Sequence, residues 1–223
     1  PLQMELNQYH AQKIISRNKF ANFKWFLDSA LAQSMEQRPN DEPDQVRLDA
    51  ITMGAVAMDE LAGPVPAGVQ LGFEVPIPAC PGWELVGYLD TLEPDPDGPA
   101  ASDLKTSKNK WSETKPDLDP QAGLYLWAIR QGMGVRRSED PKLWEHLQHI
   151  REATDGAGAA RFEFRVVMVP GKRRGTITQT LTSVRGLDQI DGWYPEVFLP
   201  RLVKMLEDGH HAPNPEYMLC GTC

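Results

Sequence analysis

The chain has 223 residues, 41% hydrophobic and 24% charged, with a formal net charge of -8 and three cysteines. Such a composition builds a core without disulfide staples and fits one large domain or two small ones. The negative balance excludes a protein that coats nucleic acid by bulk charge, so a nucleic-acid site here has to be a local basic patch or a metal-assisted one. No apolar run approaches the ~18 residues of a membrane helix. Residues 1–12 carry no apolar signal core, and three cysteines do not make a disulfide framework. A reducing, cytoplasmic compartment is expected. Both ends read as cut, the start falling in a polar helix-like stretch and the finish on Cys223.

Residues 8–37 are predicted helical, because Ile14, Phe20, Phe23, Phe26, Leu27, Leu31 and Met35 recur at three-and-four spacing. A turn over 38–44 leads into a second helix over 44–61, which "GPVPAG" at 63–68 stops. Strands are predicted over 69–78 and 83–92, split by "ACPG", and after the turn "EPDPDGPA" a short third strand covers "SDLKTS". Residues 119–132 form a helix with Pro120 in its first turn and Gly132 at its end, and 140–154 form a second, polar-faced one. Strands over 161–170 and 174–184 make a hairpin around "GKR". A C-terminal helix over 186–209 is expected to break near Pro195 or Pro200. Helices and strands mix along the chain, so the fold class is α/β or α+β around one central mixed sheet.

The chemistry concentrates in "GYLDTLEPDPDGPAASDLKTSK", residues 87–108. Successive strand residues point to opposite faces, so Asp103 and Lys105 share one face and Leu104 is expected to enter the core. If the strands on either side of the turn pair, Asp90 and Asp103 lie within a few ångströms. Two carboxylates that close repel, and a hard divalent cation with oxygen ligands resolves the conflict. Metal, water and a nearby ammonium suit hydrolysis of a phosphodiester. Alone, the same residues read as the solvated rim of a hairpin, the usual place of an Asp and a Lys near such a turn.

The order of features along residues 73–128 separates these readings. Glu74 lies in a strand, Gly87-Tyr88-Leu89-Asp90 ends the next, Asp103-Leu104-Lys105-Thr106 follows, and Asp119-Pro120-Gln121 precedes Tyr125 on a helix. This set resembles the PD-(D/E)XK nuclease superfamily, in particular its RecB-like, phage-type exonuclease branch. The resemblance implies a restriction-endonuclease-like α/β fold, a mixed sheet flanked by helices. It implies a single domain over 1–223, with a helical part at 1–68, a catalytic sheet core at 69–184, and a C-terminal helix with a cysteine-containing tail at 185–223. It implies Mg²⁺ or Mn²⁺ held by Asp90, Asp103 and the Leu104 backbone carbonyl, with Lys105 as the catalytic lysine and Gln121 and Tyr125 lining the cleft. Glu74 either assists metal or water or sits exposed on its strand. The implied partners are DNA and recombination or replication proteins, with no membrane.

The tail also resembles the end of phage-type members, where cysteines hold an iron–sulfur cluster. A cluster needs four ligands, and Cys220 and Cys223 with Cys80 leave it incomplete. Relatives carry a histidine in the second helix, where this chain has Met58, a poor ligand for a hard ion. That difference keeps a non-catalytic DNA-binding or assembly subunit open, and a structure-specific endonuclease shares the same chemistry. Trp83, Trp111 and Trp127 are expected around the site. Trp111 lies on a loop with Lys108, Lys110 and Lys115, which suits base stacking and phosphate contact, or else a solvated loop. "GKRRG" at 171–175 could touch a DNA backbone, and His146 and His149 read as surface residues.

Overall fold

The structure, a computed structural model, describes residues 65–107, 109–168 and 177–208. The two predicted N-terminal helices, Met58, Lys108, the 171–175 tip and the tail with Cys220 and Cys223 lie outside these residues.

Five strands form one sheet in the order β1-β2-β3-β4-β5. They are β1 Gly68–Pro76, β2 Glu84–Leu92, β3 Ala101–Ser107, β4 Ala159–Met168 and β5 Ile177–Gly186. β3 runs parallel to β4, and the other neighbouring pairs are antiparallel. The sheet is therefore mixed, as expected. A parallel pair needs a crossover, and three helices supply it between β3 and β4: α1 Lys115–Leu118, α2 Pro120–Arg130 and α3 Pro141–Ala157. The short α1 falls within the loop that the lysine-rich sequence predicted as irregular.

Alternation in β4 buries Phe162, Phe164 and Val166 on one face while Arg161, Glu163 and Arg165 remain at least partly accessible. α2 covers that apolar face, with the Tyr125 ring meeting Phe162 edge-on at a centroid distance of 5.8 Å. α2 buries Ala122, Leu126, Trp127, Ala128 and Ile129, whereas the polar-faced α3 offers Leu147, Ile150 and Thr154 at helical spacing.

The predicted C-terminal helix is broken as expected. Asp188–Phe198 is a wide-turned π-helix with Pro195 inside it, and α4 Leu199–Glu207 starts with Pro200 in its first turn. Proline has no amide hydrogen to donate, which is tolerated in a first turn and disturbs an interior one. The π-helix is clasped to the body by Arg130 at the end of α2. Its Nε donates to both Asp191 oxygens at 3.0 Å and its Nη1 donates to Thr154 of α3 at 2.8 Å.

Candidate active site

β2 and β3 pair only briefly, at Thr91↔Ser102 and Leu92↔Ala101. One further step in that register sets Asp90 opposite Asp103, where the turn sequence predicted them. Across the parallel ladder Asp103 lies beside Phe164 and Lys105 beside Val166. Paired residues point to the same side, so the charged pair shares the face that α2 covers. Leu104 is half-buried and turns to the other face, beside Arg165, while Asp103 is 3% exposed. The expectation that Leu104 enters the core is thus overturned: the Asp103 carboxylate is the buried member. The parallel β4 with its phenylalanines and the covering helix make that face the interior.

Lys105 Nζ stands 2.9 Å from Asp103 Oδ2. The approach is a close ion pair, and Asp103 Oδ2 is buried. Gln121 Nε2 donates to Asp103 Oδ1 at 3.4 Å. Burial pushes the Asp103 carboxyl up from its ordinary 3.8 to about 6; Lys105 opposes this, and the neighbouring Asp90 carboxyl adds to it. Lys105 is desolvated, which favours its neutral form, yet the charge and hydrogen bond of Asp103, joined by the charge of Asp90, together outweigh this and hold its ammonium above the ordinary range.

α2 delivers Gln121 and Tyr125 to the cluster. The Asp119 side chain caps its first turn, accepting from the Gln121 amide at 2.9 Å, and Pro120 follows in the position proline favours. Four residues apart, Gln121 and Tyr125 share a helix face. Tyr125 packs edge-on against Phe73 at 5.6 Å as well as against Phe162. Burial raises its phenol, partly offset by a hydrogen bond with Gln121, so the hydroxyl stays protonated. Both residues also line an open groove of about 1060 Å³, together with Lys110, Trp111, Lys115, Leu118 and Val86.

A family model for the PD-(D/E)XK nuclease superfamily matches residues 11–223. The chain belongs to the PD-(D/E)XK nuclease superfamily. No curated protein and no solved structure matches it. The mixed sheet flanked by helices is the restriction-endonuclease-like fold of that superfamily, and DNA and phosphodiester chemistry come with membership. Nucleases of this superfamily generally use divalent cations. The residues present fit one, because a buried carboxyl with a second carboxyl beside it offers the oxygen ligands that suit a hard ion.

The candidate site thus gathers Asp90, Asp103, Lys105, Gln121 and Tyr125. Other expected residues fall elsewhere. Glu74 is exposed on β1, and its carboxyl raises that of Glu84 above the ordinary value by a hydrogen bond and by like charge. Trp111 is 7% exposed and packs on Phe164 at 5.4 Å, which corrects the picture of a solvated stacking ring. Lys115 Nζ caps that ring 3.7 Å from its centroid, and Gln179 bonds the Trp111 backbone from β5. Lys110 is exposed at the groove. Trp127 is core, and Trp83 donates from its indole nitrogen to Glu207 of α4 at 3.2 Å. His146 is part-buried, with Nε2 2.7 Å from the Glu93 carbonyl oxygen, so it ties α3 to the β2–β3 turn instead of lying on the surface. Among the described residues no group of three or more His, Cys, Asp and Glu forms a metal cluster. None of the described helices is long and apolar enough to cross a membrane. One site residue escaped sequence reasoning. Gln70 of β1 donates from Nε2 to Asp90 Oδ1 at 2.9 Å. A glutamine in "VQLGFEV" gives no sign of a contact twenty residues away.

Proposed function

We propose that this chain is a divalent-metal-dependent DNA nuclease that hydrolyses phosphodiester bonds, acting as an exonuclease in phage-type recombination, replication or repair. The observation that carries the reading is the meeting of Asp90, Asp103, Lys105 and Gln121 on one sheet face beneath α2. Asp90, Asp103 and the Leu104 carbonyl are the proposed ligands of Mg²⁺ or Mn²⁺. When bound, such an ion supplies an activated water and neutralises charge on the phosphoryl group.

The chain's own groups divide the remaining work. Lys105 enters the site as an ammonium, so it serves as a donor and a positive charge, not as a base. It holds the attacking water and stabilises the negative charge that develops on the phosphoryl oxygens. Gln121 fixes the Asp103 carboxylate from the α2 side. Tyr125 presents a protonated hydroxyl to the groove for a phosphate oxygen or a sugar. Lys110 and Lys115 give the groove the local positive charge that the whole chain lacks. The exonuclease assignment draws on the resemblance to the RecB-like branch.

The test is cleavage of linear and closed circular DNA with Mn²⁺. Degradation of the linear form alone supports an exonuclease. Cleavage of the circle moves the reading to an endonuclease, and absence of cleavage from both refutes a catalytic role.

A further inference from the structure

Gln70 occupies an unusual backbone position. Val69↔Thr91 and Leu71↔Leu89 pair on either side of it, and it faces Asp90 across the strands. Its φ is 49°, the left-handed region that side-chain-bearing residues rarely enter outside turns. In a regular strand that conformation serves no pairing. Its effect appears at Asp90. Gln70 Nε2 donates to Asp90 Oδ1 at 2.9 Å, while the Leu104 amide donates to Asp90 Oδ2 at 3.4 Å. A donor on each carboxylate oxygen bears on the plane of the group. The alternation of β2 also shifts here, since Leu89 and Leu92 are both buried with half-buried Asp90 and Thr91 between them. Irregular backbone that persists at a site is held there by its surroundings and marks functional constraint.

We propose that Gln70 is a positioning residue that orients the Asp90 carboxylate for a divalent cation and raises the affinity of the site for it. This rests on the reading that Asp90 and Asp103 are the ligands. Groups behind a metal ligand commonly contribute 10–100-fold to metal affinity. Gln70→Gly removes the amide while relieving the backbone, so it separates the two roles: a residue serving only the fold would leave affinity unmoved.

The experiment is calorimetric titration of the full chain with Mn²⁺ without DNA, comparing wild type, Gln70→Gly and Asp103→Asn, with urea unfolding of each. Gln70→Gly is expected to be at least as stable as wild type and to bind Mn²⁺ about 10-fold more weakly. Its DNA cleavage should fall at limiting Mn²⁺ and recover in excess. Should Gln70→Gly not fold, Gln70→Asn replaces it, because asparagine tolerates the same backbone and is one methylene shorter. Wild-type affinity in the folded variant overturns this proposal and leaves the ligand assignment standing. Wild type that binds no Mn²⁺, or binding that persists in Asp103→Asn, overturns the ligand assignment and this proposal with it.

Discussion

Asp103→Asn should make the metal-free protein more stable at neutral pH while abolishing its metal-dependent chemistry. The Asp103 carboxyl is 3% exposed and is raised from 3.8 to about 6 by burial, with Asp90 beside it. A pKa unit corresponds to about 1.4 kcal/mol, so the ionised group destabilises the metal-free fold by about 3 kcal/mol. Because the folded value lies above the unfolded one, the stability associated with the proton is complete below pH 3.8 and is lost as pH rises through about 6. Asparagine has no proton to lose. The stability of Asp103→Asn relative to wild type should therefore grow by about 2.4 kcal/mol between pH 4 and 7.5. For a chain of this size that is about 2–4 °C of Tm for each kcal/mol. Urea unfolding in EDTA, followed by tryptophan fluorescence at several pH values, measures it. Loss of the Lys105 contact shifts the absolute values, so the growth of the difference with pH is the quantity to read. A difference that stays flat or shrinks as pH rises refutes the reasoning.

Three further outcomes follow from the same geometry. Lys105→Ala should retain Mn²⁺ binding and lose about 10²–10³-fold in cleavage rate, the scale of removing one preorganised donor; single-turnover kinetics at saturating Mn²⁺ reads this. Replacing Lys110 and Lys115 together by alanine should weaken DNA binding uniformly across sequences and lower the salt slope by about two, measured by fluorescence anisotropy across salt concentrations. Gly123→Ala should destabilise the fold by at least ~1–3 kcal/mol in urea unfolding, because a methyl there overlaps the Tyr194 ring of the π-helix.

The sheet was legible because its signals are local. The alternation of Phe162, Phe164 and Val166 marks β4, and the turn at 93–100 marks where β2 and β3 separate. The site was legible in part because its residues come from short ordered motifs: Asp90 and Asp103 flank one turn, and Gln121 and Tyr125 share one helix face. What the sequence concealed depends on contacts between distant segments. Trp111 sits among lysines and polar residues, so only its packing on Phe164 shows that it is buried. Leu104 looked like the core residue of its strand because leucine is apolar. The face was instead decided by the parallel pairing with β4 and the cover of α2. Gln70 reaches Asp90 through a backbone conformation with no composition signal, since glutamine is not a residue that normally announces positive φ. His146 and Arg130 likewise gain their roles from carbonyl and carboxylate partners on other elements.

The most direct measurement of the central claim is a crystal structure of the protein soaked in Mn²⁺, read by anomalous scattering. The account predicts an ion bound by carboxylate oxygens of Asp90 and Asp103, with Lys105 and Gln121 around it. An ion bound elsewhere, with these two carboxylates left without metal in protein that still cleaves DNA, would contradict it.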